Sequence, residues 1–236
     1  MGIKLITPPA VEPITLADAK AFLRVDGTDD VSIISAFLTA ARMYCEQHTQ
    51  RQFITATYKV TADFFPLYAG TQFAWPFFQQ LPANSFQAGQ YGYVQVTDYG
   101  VQAPPDLTKL TLPNWGNISL PKPPLQSITS IQYIDTTGTL QTWSNTNYQV
   151  VSTIEPGYIK PNNGWPSIMP NTAEAVSITY VAGYGSDGSY VPAPIIQAIK
   201  LLLGTWYETR QATEVGESIA QAVDALLRPY VFDGFF

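Results

Sequence analysis

Two side chains able to act together chemically stand one helical turn apart, Cys45 and His48. A thiolate beside an imidazole is a nucleophile with its base. Spaced by three on a helix, the two share a face. That face also carries Ile34, Phe37, Leu38 and Ala41, which with Cys45 and His48 fall at i, i+3, i+4, i+7, i+11 and i+14. This is one continuous apolar stripe. The spacing therefore predicts a buried cysteine, and a histidine near a helix C-terminus where its charge suits the dipole. His48 is the single histidine, so a histidine-based triad or metal site has little to draw on.

Other stretches with chemical potential fare no better. "DGTDD" (Asp26 to Asp30) holds three carboxylates but lacks the alternating order and the distal Glu of a calcium loop. Helix capping by Asp29 or Asp30 accounts for them more simply. "AGYGSDGS" (Ala182 to Ser189) is glycine-rich and follows a strand-like run, yet has no G-K-[ST] and leads into prolines. It reads as a connecting loop. Paired carboxylates for glycoside hydrolysis come from distant sequence, and only composition speaks for them. The sequence assigns no catalytic, cofactor-binding or metal-binding residue.

Composition narrows the class. At 236 residues the chain can bury a core of its own. The hydrophobic share is 46% and the charged share 13%, well below the usual quarter, which argues against disorder. So few charges and so many aromatics fit a surface partly covered by a partner. The net charge of −6 does not suit wrapping a phosphate backbone. One cysteine permits no intramolecular disulfide. The N-terminal stretch lacks the apolar core of a signal peptide, and no apolar run nears the ~18–20 residues that span a bilayer. The expectation is a soluble protein of a reducing compartment.

The elements that position these residues differ along the chain. All five arginines lie near the ends, none between Arg51 and Arg210. Thr15 with Asp18 makes a capping-box start for a first helix. "DDVSIISAFLTAARMYCEQHTQR" is a second. "TATYKVTADF", "SITSIQYID", "YQVVS" and "AVSITYVAGY" carry the strand signature, and "DTTG" reads as a hairpin turn into "TLQTW". Helices return at "VPAPIIQAIKLLLGTWYETRQ", with Pro194 in the first turn, and at "ESIAQAVDALLRPY", ended by Pro229. The expected fold is α+β: N- and C-terminal helices (1–53 and 191–229) in one bundle, with a large β-rich insertion at 54–190 between them. The insertion contains a nearly uncharged aromatic arm at about 66–121. Residues 230–236 form an extension in which Tyr230, Phe232, Phe235 and Phe236 are aromatic.

The order of several motifs resembles the tailed-bacteriophage head–tail connector proteins, also called adaptors or head-completion proteins. "PITLADAKAFLRVD" (Pro13 to Asp26), the acidic pair Asp29–Asp30, and Ala40, Ala41, Arg42, Glu46, Thr49 and Arg51 match that family's opening. "LPKPPLQSITSIQYIDTTG" matches its middle, and "AVSITYVAGYG", "VPAPIIQAIKLLLGTWYETRQ" and "VDALLRPY" its close. The chain departs by some fifty residues after "ADFFPLYAG", through Trp115, and continues past "RPY". The resemblance implies a virion protein of the neck, made in the host bacterial cytoplasm and without catalysis. It implies a homo-oligomeric ring, typically dodecameric, attached to the phage portal protein and docking a tail or stopper protein. DNA would pass through the lumen without specific binding.

On that reading the tail residues Tyr230, Val231, Phe232, Phe235 and Phe236 are candidate portal contacts, with Pro229 sending the chain outward in extended form; the alternative is a tail that folds back onto its own bundle. Arg42, Glu46 and Arg51 are candidate polar contacts between subunits or within the bundle. Trp75, Phe77 and Phe78 of the arm are candidate contacts to a neighbouring subunit, the capsid protein or the tail. A β-rich carbohydrate-binding or glycosidase-like module, or another neck component such as a stopper or tail terminator, stays open.

Overall fold

The computed structural model describes residues 2–66, 116–210 and 216–232. The fold is α+β, in which helices and antiparallel sheets form two apolar clusters.

The helices start and stop where local chemistry directs. In α1 (Leu16–Leu23) the Thr15 hydroxyl accepts from the Asp18 N–H and donates to the Asp18 carboxylate. The helix ends at Arg24 in a left-handed turn, whose N–H returns to Ala21 O, a common C-terminal device. α2 (Val31–Thr49) ends in the same way at Gln50. Asp30 occupies its N-cap position, but its side chain makes no capping bond. The backbone there (φ −95°, ψ 7°) is outside the extended region in which an N-cap side chain turns back on the helix. The Asp30 carboxylate instead accepts from the Tyr207 hydroxyl of α3 (Ala193–Thr209) at 2.6 Å. α4 (Glu217–Leu227) passes through a 3-10 turn over Arg228–Tyr230 before the chain extends at Val231. The α-helix thus ends two residues before Pro229, and the proline sits inside one further tight turn.

The four helices share one cluster. Ala19 of α1, Ile34, Leu38, Ala41 and Cys45 of α2, Ile195, Ile199, Leu202, Leu203 and Trp206 of α3, and Val223 and Leu227 of α4 are among its buried members. Phe53 and Ile54 carry it to the threshold of the sheets.

Among the described residues eight strands make two antiparallel sheets. β1 (Gly2–Thr7), β2 (Ala56–Ala62), β4 (Leu125–Ile134), β5 (Leu140–Thr142) and β8 (Val176–Ala182) run in the order β1-β2-β8-β4-β5. β3 (Ile118–Ser119), β6 (Tyr148–Val151) and β7 (Tyr158–Pro161) run in the order β3-β7-β6. The Asp135–Gly138 turn joins β4 to β5. β1 comes from "GIKLIT", whose single lysine and short length hide it among terminal residues. The second cluster includes Tyr58, Val60, Ile131, Ile178 and Tyr180 from the larger sheet with Ile118, Leu120 and Ile159 from the smaller one.

Most of the aromatic arm, including Trp75, Phe77 and Phe78, lies outside the described residues. Its two roots do not. Phe65 is buried and stacks on Trp165 with centroids 4.7 Å apart, and the Trp165 indole N–H donates to Gly116 O. Residues 116–121 belong to the β layer rather than to a projection, since Ile118–Ser119 is β3 and Leu120 is buried.

Candidate functional site

Among the described residues, a dense polar arrangement lies where α2 hands over to β2. Arg42 and Glu46, one turn apart on α2, face inward. The Arg42 guanidinium grips Glu12, from the segment between β1 and α1, through Nε (2.7 Å) and Nη2 (3.4 Å), and Glu46 through Nη1 (2.6 Å). Thr39 also donates to Glu12. The other Glu46 oxygen accepts from Gln52 Nε2 (2.7 Å) and the Phe53 N–H (3.0 Å). Gln52 in turn bonds Ile54 O and receives the Tyr58 hydroxyl of β2. A single chain of hydrogen bonds thus joins the N-terminal segment, α2 and the first long strand.

Burial alone would pull the Arg42 pKa down, but the Glu12 hydrogen bond and the charges of Glu46 and Glu12 outweigh it, and the guanidinium is held above its ordinary value. Burial pushes Glu46 up from the usual carboxylate range, opposed by Arg42 and the Phe53 N–H. Its oxygens face only donors, so the ionised form fits the site. Burial first, then the Glu46 charge, moves the Tyr58 phenol up to about 12. Cys45 beside them is buried, and burial followed by the Glu46 charge pushes its thiol up to about 12. At neutral pH the nucleophilic thiolate is withheld. His48 stands half-exposed, stacked on Tyr44 and 3.2 Å from Asp224 of α4. The arrangement couples elements to one another and presents no activated nucleophile. Among the described residues no group of three His, Cys, Asp or Glu could hold a metal ion.

The second arrangement centres on Arg51, just past α2. It is buried, yet it reaches three parts of the molecule. Nη1 pairs with Glu155 at 2.6 Å, on the loop between β6 and β7. Nε donates to Tyr230 O. The side chain also meets the Tyr184 hydroxyl, which follows β8. Two residues on, the Phe232 N–H donates to Thr49 O at 3.0 Å. Of the five tail residues singled out in the sequence, Tyr230, Val231 and Phe232 therefore lie half-buried against the end of α2. Phe235 and Phe236 lie outside the described residues. Up to Phe232 the tail returns to its own chain, where an outward extension was expected from Pro229. The reason is that Arg51 and Thr49 offer the backbone two partners at the α2 terminus.

Arg42 and Glu46 sit at an i,i+4 spacing that sequence shows at once. Glu12, Gln52, Tyr58 and Glu155 carry equal structural weight, and no local signal marks them. Glu12 lies 30 residues from Arg42 and Glu155 more than a hundred from Arg51.

No model of a known protein family matches this sequence, and no curated protein matches it. Solved structures do share the fold. A chain from the neck of an empty GTA particle, computed with C6 symmetry, superposes with a TM-score of 0.68 at 16% identity, over 100% of this chain and 98% of that one. A chain from the virion of a native gene transfer agent (GTA) particle gives 0.65, and one from the neck of a native GTA particle computed with C12 symmetry gives 0.64, at the same identity and coverage. The likeness is one of fold, and it runs from end to end.

Proposed function

We propose that this chain is a structural component of the neck of a phage-like particle, and within the neck a head–tail adaptor that forms a ring on the portal. The observation that carries this reading is the end-to-end fold match to neck chains, with nearly the whole of each chain covered. The motif order from Pro13 to Tyr230 supports the adaptor role in particular. So does the acidic chain, because a lumen of the wrong sign for phosphate lets DNA slide. A ring needs heterologous contacts that close by rotation, and the symmetric necks in which the fold-mates sit fit that geometry. The buried Arg42 and Arg51 networks have the role of keeping each subunit rigid. Tyr230 to Phe232 fix the point at which the tail leaves the helices, and Phe235 and Phe236 beyond them are the portal plug. Burying a Phe side chain fully is worth ~1.5–3 kcal/mol, and many tails acting on one portal ring add through avidity.

The test is binding to isolated portal complexes, followed by negative-stain imaging. Wild-type chain should decorate the portal as a ring. Deleting residues 233–236 should leave a folded chain that binds far more weakly, because avidity multiplies each lost contact. A wild-type chain that ignores the portal sinks the adaptor reading.

A further inference from the structure

Among the described residues, two cross-strand rows of the larger sheet end uncovered on its β1 edge. In an antiparallel pair, residues directly opposite point to the same face. Ile131, Ile178, Val60 and Ile3 are register partners in succession across β4, β8, β2 and β1. The first three are at most 3% exposed, and Ile3 is 46% exposed. Ile128, Tyr180, Tyr58 and Leu5 form the neighbouring row. Tyr180 and Tyr58 are buried, and Leu5 is 44% exposed. The core face therefore continues onto β1, but among the described residues nothing covers it there. All six residues of β1 are exposed, and no described strand pairs with its outer edge.

The opposite face of the same edge carries charge. Lys4 stands directly across from Lys59, a like-charge pair that disfavours the strand pairing. Neither lysine has a carboxylate partner among the described residues. A lysine on an edge strand deters indiscriminate pairing. It thereby selects an incoming partner that brings negative charge along with apolar side chains. A second copy of this chain has that character, with a net charge of −6 and a 46% hydrophobic share.

We propose that the outer edge of β1, which no described strand pairs, with Ile3 and Leu5 on one face and Lys4 beside Lys59 on the other, is the surface on which a second copy of this chain docks. The neighbouring copy covers the ends of both rows and supplies carboxylate to the lysine pair. The contact is heterologous, since it joins this edge to a different surface of the neighbour, as a closed ring requires. It rests on the ring reading above and gives that ring one of its two contact surfaces.

The experiment compares wild type, the double variant Ile3→Asp/Leu5→Asp, and Lys4→Glu. Self-association is measured by sedimentation and by negative stain, alone and on isolated portal, with thermal melting of each chain in parallel. The double variant should melt within about 2 °C of wild type, because exposed positions carry little stability. Its self-association should fall by at least about a hundredfold, the equivalent of two lost apolar contacts. Lys4→Glu should give a smaller loss that shrinks at high salt. Wild-type rings with unchanged rings from both variants overturn this contact and leave the ring reading intact. A melting midpoint that falls by ten degrees or more overturns it too, since β1 is then covered by its own chain. Wild type that remains monomeric even on portal sinks the ring reading, and this contact with it.

Discussion

Replacing Glu46 with alanine tests whether the polar chain at the α2–β2 junction welds each subunit internally. The side chain accepts from Arg42, from Gln52 and from the Phe53 backbone. Without it, the buried guanidinium keeps only Glu12, whose side chain is 27% exposed. The Phe53 N–H loses its acceptor, and Gln52 Nε2 keeps only Ile54 O. Breaking a buried ion pair from one side costs about 3–5 kcal/mol, and each orphaned buried donor about 1–3 kcal/mol. The terms overlap because the groups form one network, and water entering the vacated volume offsets part of them. The expected loss is about 4–6 kcal/mol, a large part of the roughly 5–15 kcal/mol that holds a domain together. Glu46→Gln retains one acceptor oxygen and should cost about half as much. Glu12→Ala removes a partly exposed partner and should cost only about 1–2 kcal/mol. Urea denaturation of the unassembled chain, followed by tryptophan fluorescence, gives these differences directly. A loss below about 1 kcal/mol for Glu46→Ala, the range of a surface pair, refutes the internal weld. So does an unchanged midpoint combined with lost ring assembly, which would place Arg42 and Glu46 between subunits.

Three further outcomes follow from local geometry. Gly183 has φ +129°, and an added Cβ would lie 2.8 Å from backbone atoms of Ile54 and Thr55. Gly183→Ala should therefore cost about 2–4 kcal/mol and lower the melting midpoint by roughly 5–12 °C; an unchanged midpoint would mean the two backbones are not in contact. Cys45 is buried and its thiol is pushed up to about 12, so a thiol reagent at pH 8 should leave the folded chain unlabelled and react once urea is added. In the β4–β5 turn, the Thr137 hydroxyl, then the Gln141 amide and the Thr139 N–H, hold the Asp135 carboxyl well below its ordinary value. A depressed carboxylate stabilises above its unfolded value, about 3.9, and loses that contribution as pH falls below it. Amide exchange at Thr137 and Thr139 should quicken as pH drops below about 4 relative to the rest of the sheet, and Asp135→Asn should abolish that pH dependence.

Periodicity carries far in this chain because burial sets it. The stripe of α2 from Ile34 to Cys45 and the face Ile195, Ile199, Leu202, Leu203 and Trp206 of α3 are legible residue by residue, since each packs on a neighbour at helical spacing; His48, the stripe's last position, faces Asp224 instead. Thr15 with Asp18 is legible for the same reason: donor and acceptor lie within one turn. Asp30 shows where this stops. Its position next to a helix start suggests a cap, but its partner is Tyr207, 177 residues away. β1 is missed on different grounds. A strand is read from alternation, and β1 has a register shift between Leu5 and Thr7 and no buried face of its own.

The same divide explains the site. Arg42 and Glu46 stand out in the sequence as charges on an otherwise apolar helix, and their i,i+4 spacing is visible. Which way they face is decided by Glu12 and Gln52, which a sequence reading has no reason to pair with them. An arginine on a helix in an Arg-poor chain looks like a free surface cation. It is buried here because two carboxylates from different segments converge on it. Arg51 extends the point. Its guanidinium gathers Glu155, Tyr184 and the Tyr230 carbonyl, so the insertion, the strand exit and the tail all meet at the end of α2. That convergence makes the aromatic tail a continuation of a rigid subunit up to Phe232. On the adaptor reading proposed above, portal attachment would rest on Phe235 and Phe236, so removing only residues 233–236 leaves the Arg51 and Thr49 contacts in place and tests attachment apart from folding, whereas a cut at Tyr230 would disturb both.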